Sequence, residues 1–325
     1  MRTGKELIQE SKQYTSENRR RSWLELIITL LPIPLFLLFI FWAQTPILVK
    51  PFLSACCGLL YVRLFVIYHD YQHRAILQNS LLANGIMKMI GLFLLAPETI
   101  WKRSHEHHHN NNSKLTIAGI GSYPTISKNR FLSLTKKERQ LYLINRHPLT
   151  VIFGYVTLFI YWLNIKSVLQ SPKRHLDSLL ALLLHGGGVI AVLYYFGVFS
   201  FLLAWFIPFF MAFGIGSYLF YCQHNFPKAQ FRENHEWKYD HAALASTSYM
   251  VMNPVMQWFT GNIGLHHVHH LNSRIPFYRL KEVANNMPEL KDVSTTSWDL
   301  LEVIRCFRLK LWDAEKGKMI TLHEL

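Results

Sequence analysis

Apolar residues in this chain gather in long runs instead of recurring at the 3.6-residue period of a half-buried helix or the two-residue period of a strand. A hydrocarbon core of about 30 Å takes roughly 20 helical residues to cross. Four runs meet that length, at 23–44, 51–68, 176–196 and 201–221, and Trp23 and Trp42 bracket the first as interfacial anchors would. Two others, 86–96 and 149–165, are shorter and are read as interfacial or re-entrant segments. The pattern predicts an all-α integral membrane protein with four transmembrane helices. Residues 1–22 form an N-terminal polar segment without a signal-peptide cleavage site. Residues 23–285 form the membrane domain, and 286–325 a C-terminal tail.

Composition agrees. Half of the 325 residues are hydrophobic and only 17% are charged, where a soluble domain has about a quarter. The four cysteines, Cys56, Cys57, Cys222 and Cys306, show neither metal nor disulfide spacing and read as small buried hydrophobes. With Lys and Arg at 34 against 20 Asp and Glu, charge sets the orientation. If 149–165 does not cross, all of the basic residues except Lys50 and Arg63 fall on one face, and positive loops stay cytoplasmic. Both termini are therefore expected in the cytoplasm. The basic excess belongs to topology and anionic lipid head groups. No basic, aromatic-interleaved patch calls for nucleic acid.

The chemistry lies in the 17 histidines. His69 and His73 stand at i and i+4, on one helix face, where the second run ends. His105, His108 and His109 stand at i, i+3 and i+4, and His266, His269 and His270 repeat that spacing. His224 directly follows the fourth run. These nine imidazoles lie at one side of the membrane and exceed what one metal uses, so two metals sharing a histidine cage fit the number. Neutral imidazoles suit iron, zinc or copper. Asp70 and Glu106 adjoin ligand histidines and are expected to orient their rings as hydrogen-bond acceptors. His107 and His267 turn away by about 100° and read as solvated or supporting residues. His185, before Gly186-Gly187-Gly188, reads as buried and hydrogen-bonded; His147, His175, His235, His241 and His323 read as surface or structural. Gly186 to Gly188, Gly214 and Gly216 serve close helix packing or room for a lipid tail. The tract 105–109 also satisfies H-E-x-x-H, but a zinc hydrolase with three ligands would leave the other groups unexplained.

The three boxes, 69–73, 105–109 and 266–270, together with the stretches 237–244, 258–271 and 273–278, resemble the membrane fatty acid desaturase family. The resemblance runs from about residue 20 to 285 and is nearest the bacterial acyl-lipid omega-6 (Δ12-type) branch. It implies a cytoplasmic cap carrying a non-haem di-iron site, ligated by His69, His73, His105, His108, His109, His224, His266, His269 and His270. That site would use O2 and two electrons to place a cis double bond in the acyl chain of a membrane lipid or acyl thioester. A bacterial cytoplasmic membrane is the implied location. The first box departs from many members in lacking a glycine before its last histidine. The chain carries no haem-binding His-Pro-Gly-Gly segment and no ferredoxin-type cysteines. Electrons are therefore expected from a separate ferredoxin-like or cytochrome b5-like carrier. Histidine spacing leaves open a hydroxylase or ketolase acting on an alkane, sphingolipid or carotenoid, and, more remotely, a metal transporter.

Overall fold

Asn18 starts the first long helix by accepting a hydrogen bond from the Arg21 backbone N–H, as N-cap residues do. In this computed structural model, which describes residues 2–115 and 123–325, three helices are long and apolar enough to cross a bilayer: Arg19–Phe41, Val49–Gln72 and Leu176–Cys222. The 47-residue third helix is a hairpin. Gly197 interrupts it with φ 77° and ψ 176°, a backbone conformation that glycine adopts without steric cost. Trp205 Nε1 donates to His185 Nε2 at 3.1 Å, although their separation along a straight helix would be about 30 Å. The two runs expected at 176–196 and 201–221 are thus antiparallel neighbours. The fold is that of an all-α membrane protein with four candidate crossings.

Between the second and third long helices the chain bends by 87°, from Leu81–Phe93 into Glu98–Asn111. Carbonyls freed at the bend are caught by side chains: Asn164 Nδ2 donates to Leu95 O at 2.7 Å, and Tyr68 Oη to Ala96 O at 2.7 Å. The run expected at 86–96 covers the end of the first of these helices and the bend itself. The 149–165 run folds as a short helix, Pro148–Ile152, and a π-helix, Tyr155–Ile165, which buries Tyr155, Phe159 and Leu163.

Arg63 lies inside the second span and is 2% exposed. Its guanidinium pairs with Glu25 at 2.5 Å, donates to Thr29 at 3.1 Å and to the Trp258 carbonyl, and stacks 4.0 Å from the Trp258 ring. Desolvation offsets most of such a pair's attraction. Its consequence is geometric, since it ties the first two spans to the segment leading into His266.

Short strands, which no sequence period announces, close the cap. Ile126–Ser127 runs parallel to Leu309–Asp313, which pairs antiparallel with Lys318–Thr321; Tyr249–Met250 pairs with Thr295–Thr296. These pairings fasten residues of the 286–325 tail to the cap. At the other terminus, Arg2 pairs with Glu289 at 2.9 Å.

Candidate metal centre

Four elements bring their histidines to one place. His69 occupies the last turn of Val49–Gln72 and His73 its C-cap. Glu98–Asn111 carries His105, His108 and His109; the short helix His266–Leu271 carries His266, His269 and His270; His224 follows the end of Leu176–Cys222. Their ring nitrogens sort into two groups, each with all nitrogens within 4.8 Å of one another. His69, His73, His105, His109 and His269 make one; His108, His224, His266 and His270 make the other.

Each three-histidine helix supplies both groups. Successive residues turn by 100°, so i+4 lies about 40° to one side of i and i+3 about 60° to the other. His105 and His109 therefore go to the first group and His108 to the second. On the other helix His266 and His270 go to the second group and His269 to the first, so the roles are exchanged.

Contacts inside the groups are nitrogen to nitrogen. In the first, Nε2 atoms are 2.8 Å apart for His69 and His105, and 3.1 Å for His105–His109 and His109–His269. In the second they close a ring: His108–His224 at 3.1 Å, His224–His266 at 2.9 Å, His266–His270 at 3.1 Å and His108–His270 at 3.3 Å. A ring nitrogen of neutral imidazole holds either a proton or a lone pair. It cannot donate to one neighbour and accept from the next, so a closed ring of such contacts is poorly satisfied by protons alone. A cation receiving several lone pairs resolves it. In the first group, buried His73 Nε2 has no hydrogen-bond partner and is free to join the lone pairs.

The far sides of two rings are held. His69 Nδ1 lies 3.2 Å from Asp70 Oδ1, and His224 Nδ1 lies 3.3 Å from the Ser246 carbonyl. With the proton at Nδ1, each Nε2 lone pair points inward. Asp70 Oδ2 also accepts from the Phe277 backbone N–H at 2.6 Å, which fixes the carboxylate. Burial pushes His224 down to about 4, and His266, His269 and His270 well below the usual histidine range. The rings are neutral at pH 7, as metal ligands must be. Nitrogen sets of five and four fit iron better than tetrahedral zinc in at least the larger group.

Glu106 is exposed and makes no hydrogen bond to a histidine among the described residues. Beside His105 in sequence, it is turned 100° from it on the helix and faces outward. Its expected role of orienting a ligand ring therefore has no contact behind it, although it lines an open cleft with His73 and His109. His107 stays outside both groups and meets Asn111 Nδ2 at 3.3 Å. His267 also stays outside but is fully buried, not solvated. His185 meets Tyr155 and Trp205 as a hydrogen-bonded core residue. His175 is buried against Thr99, 3.0 Å away.

An apolar cavity, partly open to the outside, runs between the second and fourth spans and the π-helix. Tyr61, Phe65, Leu163, Phe213 and Leu219 contribute to its wall, and its lining takes in His69, His105 and His266, so that it touches both groups. Gly216 lines it too, and a Cβ there would meet no atom within 4 Å. Gly188 and Gly214 serve packing instead, against Trp205 and the Ile152 carbonyl. The cavity's aromatic wall is assembled from the second span, the π-helix and the fourth span, and no single element carries it.

Replacing Asp70 with asparagine is expected to lower metal affinity about 10–100-fold, the usual effect of losing an orienting partner. Metal titration of the purified variant checks this, and unchanged affinity would remove Asp70 from the centre.

Comparison with known proteins agrees with these features. The family model described as fatty acid desaturase matches residues 45–298. A fatty acid desaturase of Bacillus subtilis is 26% identical over 324 residues, covering 99% of this chain and 91% of that protein. An sn-1 oleoyl-lipid 12-desaturase of Anabaena variabilis is 22% identical over 304 residues, 90% of this chain and 85% of the relative. One from Synechocystis sp. is 22% identical, covering 94% and 88%.

Proposed function

Since the chain belongs to the fatty acid desaturase family, we propose that it uses O2 to insert a cis double bond into an acyl chain of a membrane glycerolipid, with two iron ions held by the five- and four-histidine groups. The observation that carries this reading is the apolar cavity, whose lining includes His69, His105 and His266. An acyl chain lying there brings unactivated methylenes beside both groups. Removing hydrogen from such carbons needs a redox metal, and the irons, when bound, would supply the oxidising chemistry by which one O2, two hydrogens from adjacent methylenes, two electrons and two protons become two waters.

The protein's own part is to bind, orient and exclude. Tyr61, Phe65, Phe159 and Phe213 replace water around the chain with aromatic surface. Asp70 and the Ser246 carbonyl keep His69 and His224 turned inward. The electrons come from a separate ferredoxin-like or cytochrome b5-like protein, because the chain carries neither haem motif nor cluster cysteines. The lysine and arginine distribution favours the cytoplasmic side for the histidines and both termini, and the likeness to bacterial relatives favours a bacterial inner membrane. The oleoyl-lipid activity in the names of two relatives favours a lipid-linked substrate and the Δ12 position.

Mass spectrometry of fatty-acid methyl esters tests the reading, in a host that makes no polyunsaturated fatty acids and carries a suitable electron donor. A diunsaturated acyl chain is expected with the wild type and not with His269→Ala. No new double bond, with the protein present in the membrane, overturns it; an oxygenated chain would replace desaturation by hydroxylation.

A further inference from the structure

His224 differs from the other eight ligand candidates in how its ring is aimed. Those lie on helices or, for His73, at a helix C-cap, where the backbone repeat sets each ring's direction. The last helical residue of the hairpin is Cys222, so His224 lies beyond the repeat. Its neighbours in sequence, Gln223 and Asn225, are both buried and anchor the backbone on either side of it. Gln223 Nε2 donates to the Ile263 carbonyl at 2.9 Å, in the segment leading to His266. Asn225 Nδ2 donates to the carbonyls of Cys306 at 2.6 Å and Leu309 at 3.2 Å, where the helix Leu300–Arg308 passes into the strand Leu309–Asp313. Asn225 Oδ1 accepts from Arg146 Nη2 at 2.5 Å. Carbonyls only accept and a guanidinium only donates, so a carboxamide between them has one permitted orientation.

Arg146 is itself fully buried, and its other acceptors are neutral oxygens. Nη1 donates to the carbonyls of Tyr123 and Pro124, each at 2.9 Å, and to Thr125 Oγ1 at 3.2 Å. Those three residues line a polar cleft together with His108 and His224. The planar fork thus spans two segments, one arm holding residues 123–125 and the other Asn225.

We propose that Arg146 is a positioning residue of the metal centre, setting the direction of His224 through Asn225. The four-nitrogen group then depends on it and the five-nitrogen group does not, because the larger group takes no ligand from the segment 223–225. This inference rests on the reading that the two groups hold two metals.

The test titrates the metal-free, full-length protein in nanodiscs with ferrous iron in the absence of O2. Wild type is expected to take up two equivalents. In Arg146→Gln and in Asn225→Ala, one equivalent should bind as in wild type and the other about tenfold more weakly or worse, as when a partner behind a ligand is lost. In a His224→Ala background neither substitution should change the equivalent that remains. The double variant Arg146→Gln/Asn225→Ala should be no weaker than the weaker single, because both substitutions cut one hydrogen bond. Arg146→Lys keeps the buried charge and so guards against a misfolded Arg146→Gln. Its single ammonium cannot hold residues 123–125 and Asn225 at once, and the same selective weakening is expected there. The unfolding midpoint of the metal-free protein is followed alongside, since a merely structural role would lower it and both affinities together. Equal weakening of the two equivalents, no weakening of either, or additive losses in the double variant would overturn the proposal. Fewer than two equivalents in wild type would instead overturn the two-metal reading, and this inference with it.

Discussion

In His269→Ala, one iron is expected to be lost from the purified protein and desaturation to fall at least about 10³-fold, while the second iron stays. His269 is one of five ligand candidates in its group, its Nε2 3.1 Å from that of His109. Removing a ligand must weaken binding by more than the about 10–100-fold that follows loss of a partner merely orienting one. In the proposed reaction both metals are needed, so one empty group suffices to stop it. The complementary variant is His224→Ala, in the four-nitrogen group, which should empty the other position and spare the first. Iron per protein, measured by elemental mass spectrometry, separates the cases. Exposed His323→Ala is the control and should match wild type. Two irons and full activity in His269→Ala would refute the assignment of the five-nitrogen group. Loss of both irons from either variant would mean that the two groups fill as one unit.

That nine histidines gather in the cap was legible from sequence because ring spacing on a helix is local: i, i+3 and i+4 place rings together whatever the rest of the chain does. Their division was not. Reading His105, His108 and His109 as one face hides the 100° separating the i+3 and i+4 rings, which sends His108 to one group and His109 to the other. The same neglect of rotation made Glu106 look like an orienting acceptor beside His105, whereas it faces outward. Spans followed from long apolar runs, since length against bilayer thickness is a strong constraint. By contrast, the strands Ile126–Ser127 and Leu309–Asp313 are too short to show a period, and pair across more than 180 residues. The apolar cavity was the least visible feature. Phe65, Leu163 and Phe213 lie on different elements, and only packing puts them on one wall. Gly216 was singled out within a glycine pair, but whether it served packing or space depended on what stood opposite.

Gly216→Leu provides the sharpest test of that space, and is expected to cut turnover of long acyl chains about 100-fold while leaving iron content unchanged. The residue lies in the fourth span among Ala212, Phe213, Leu219 and Phe220, all of which line the cavity. A Cβ at 216 meets no atom within 4 Å, so a leucine there starts into open space on the cavity wall. Each acyl methylene driven out of apolar surroundings forfeits about 0.8 kcal/mol. Displacing three or four therefore costs about 3 kcal/mol, close to the two factors of ten expected in kcat/KM. Shorter chains that end before Gly216 should lose little, so the ratio of long- to short-chain turnover is the informative readout. Gly214→Ala supplies the contrast. Its Cβ would press on the Ile152 carbonyl at 3.0 Å, and should lower stability while leaving that ratio alone. An equal loss at every chain length in Gly216→Leu, or loss of iron with it, would show that the cavity is not where the acyl chain lies.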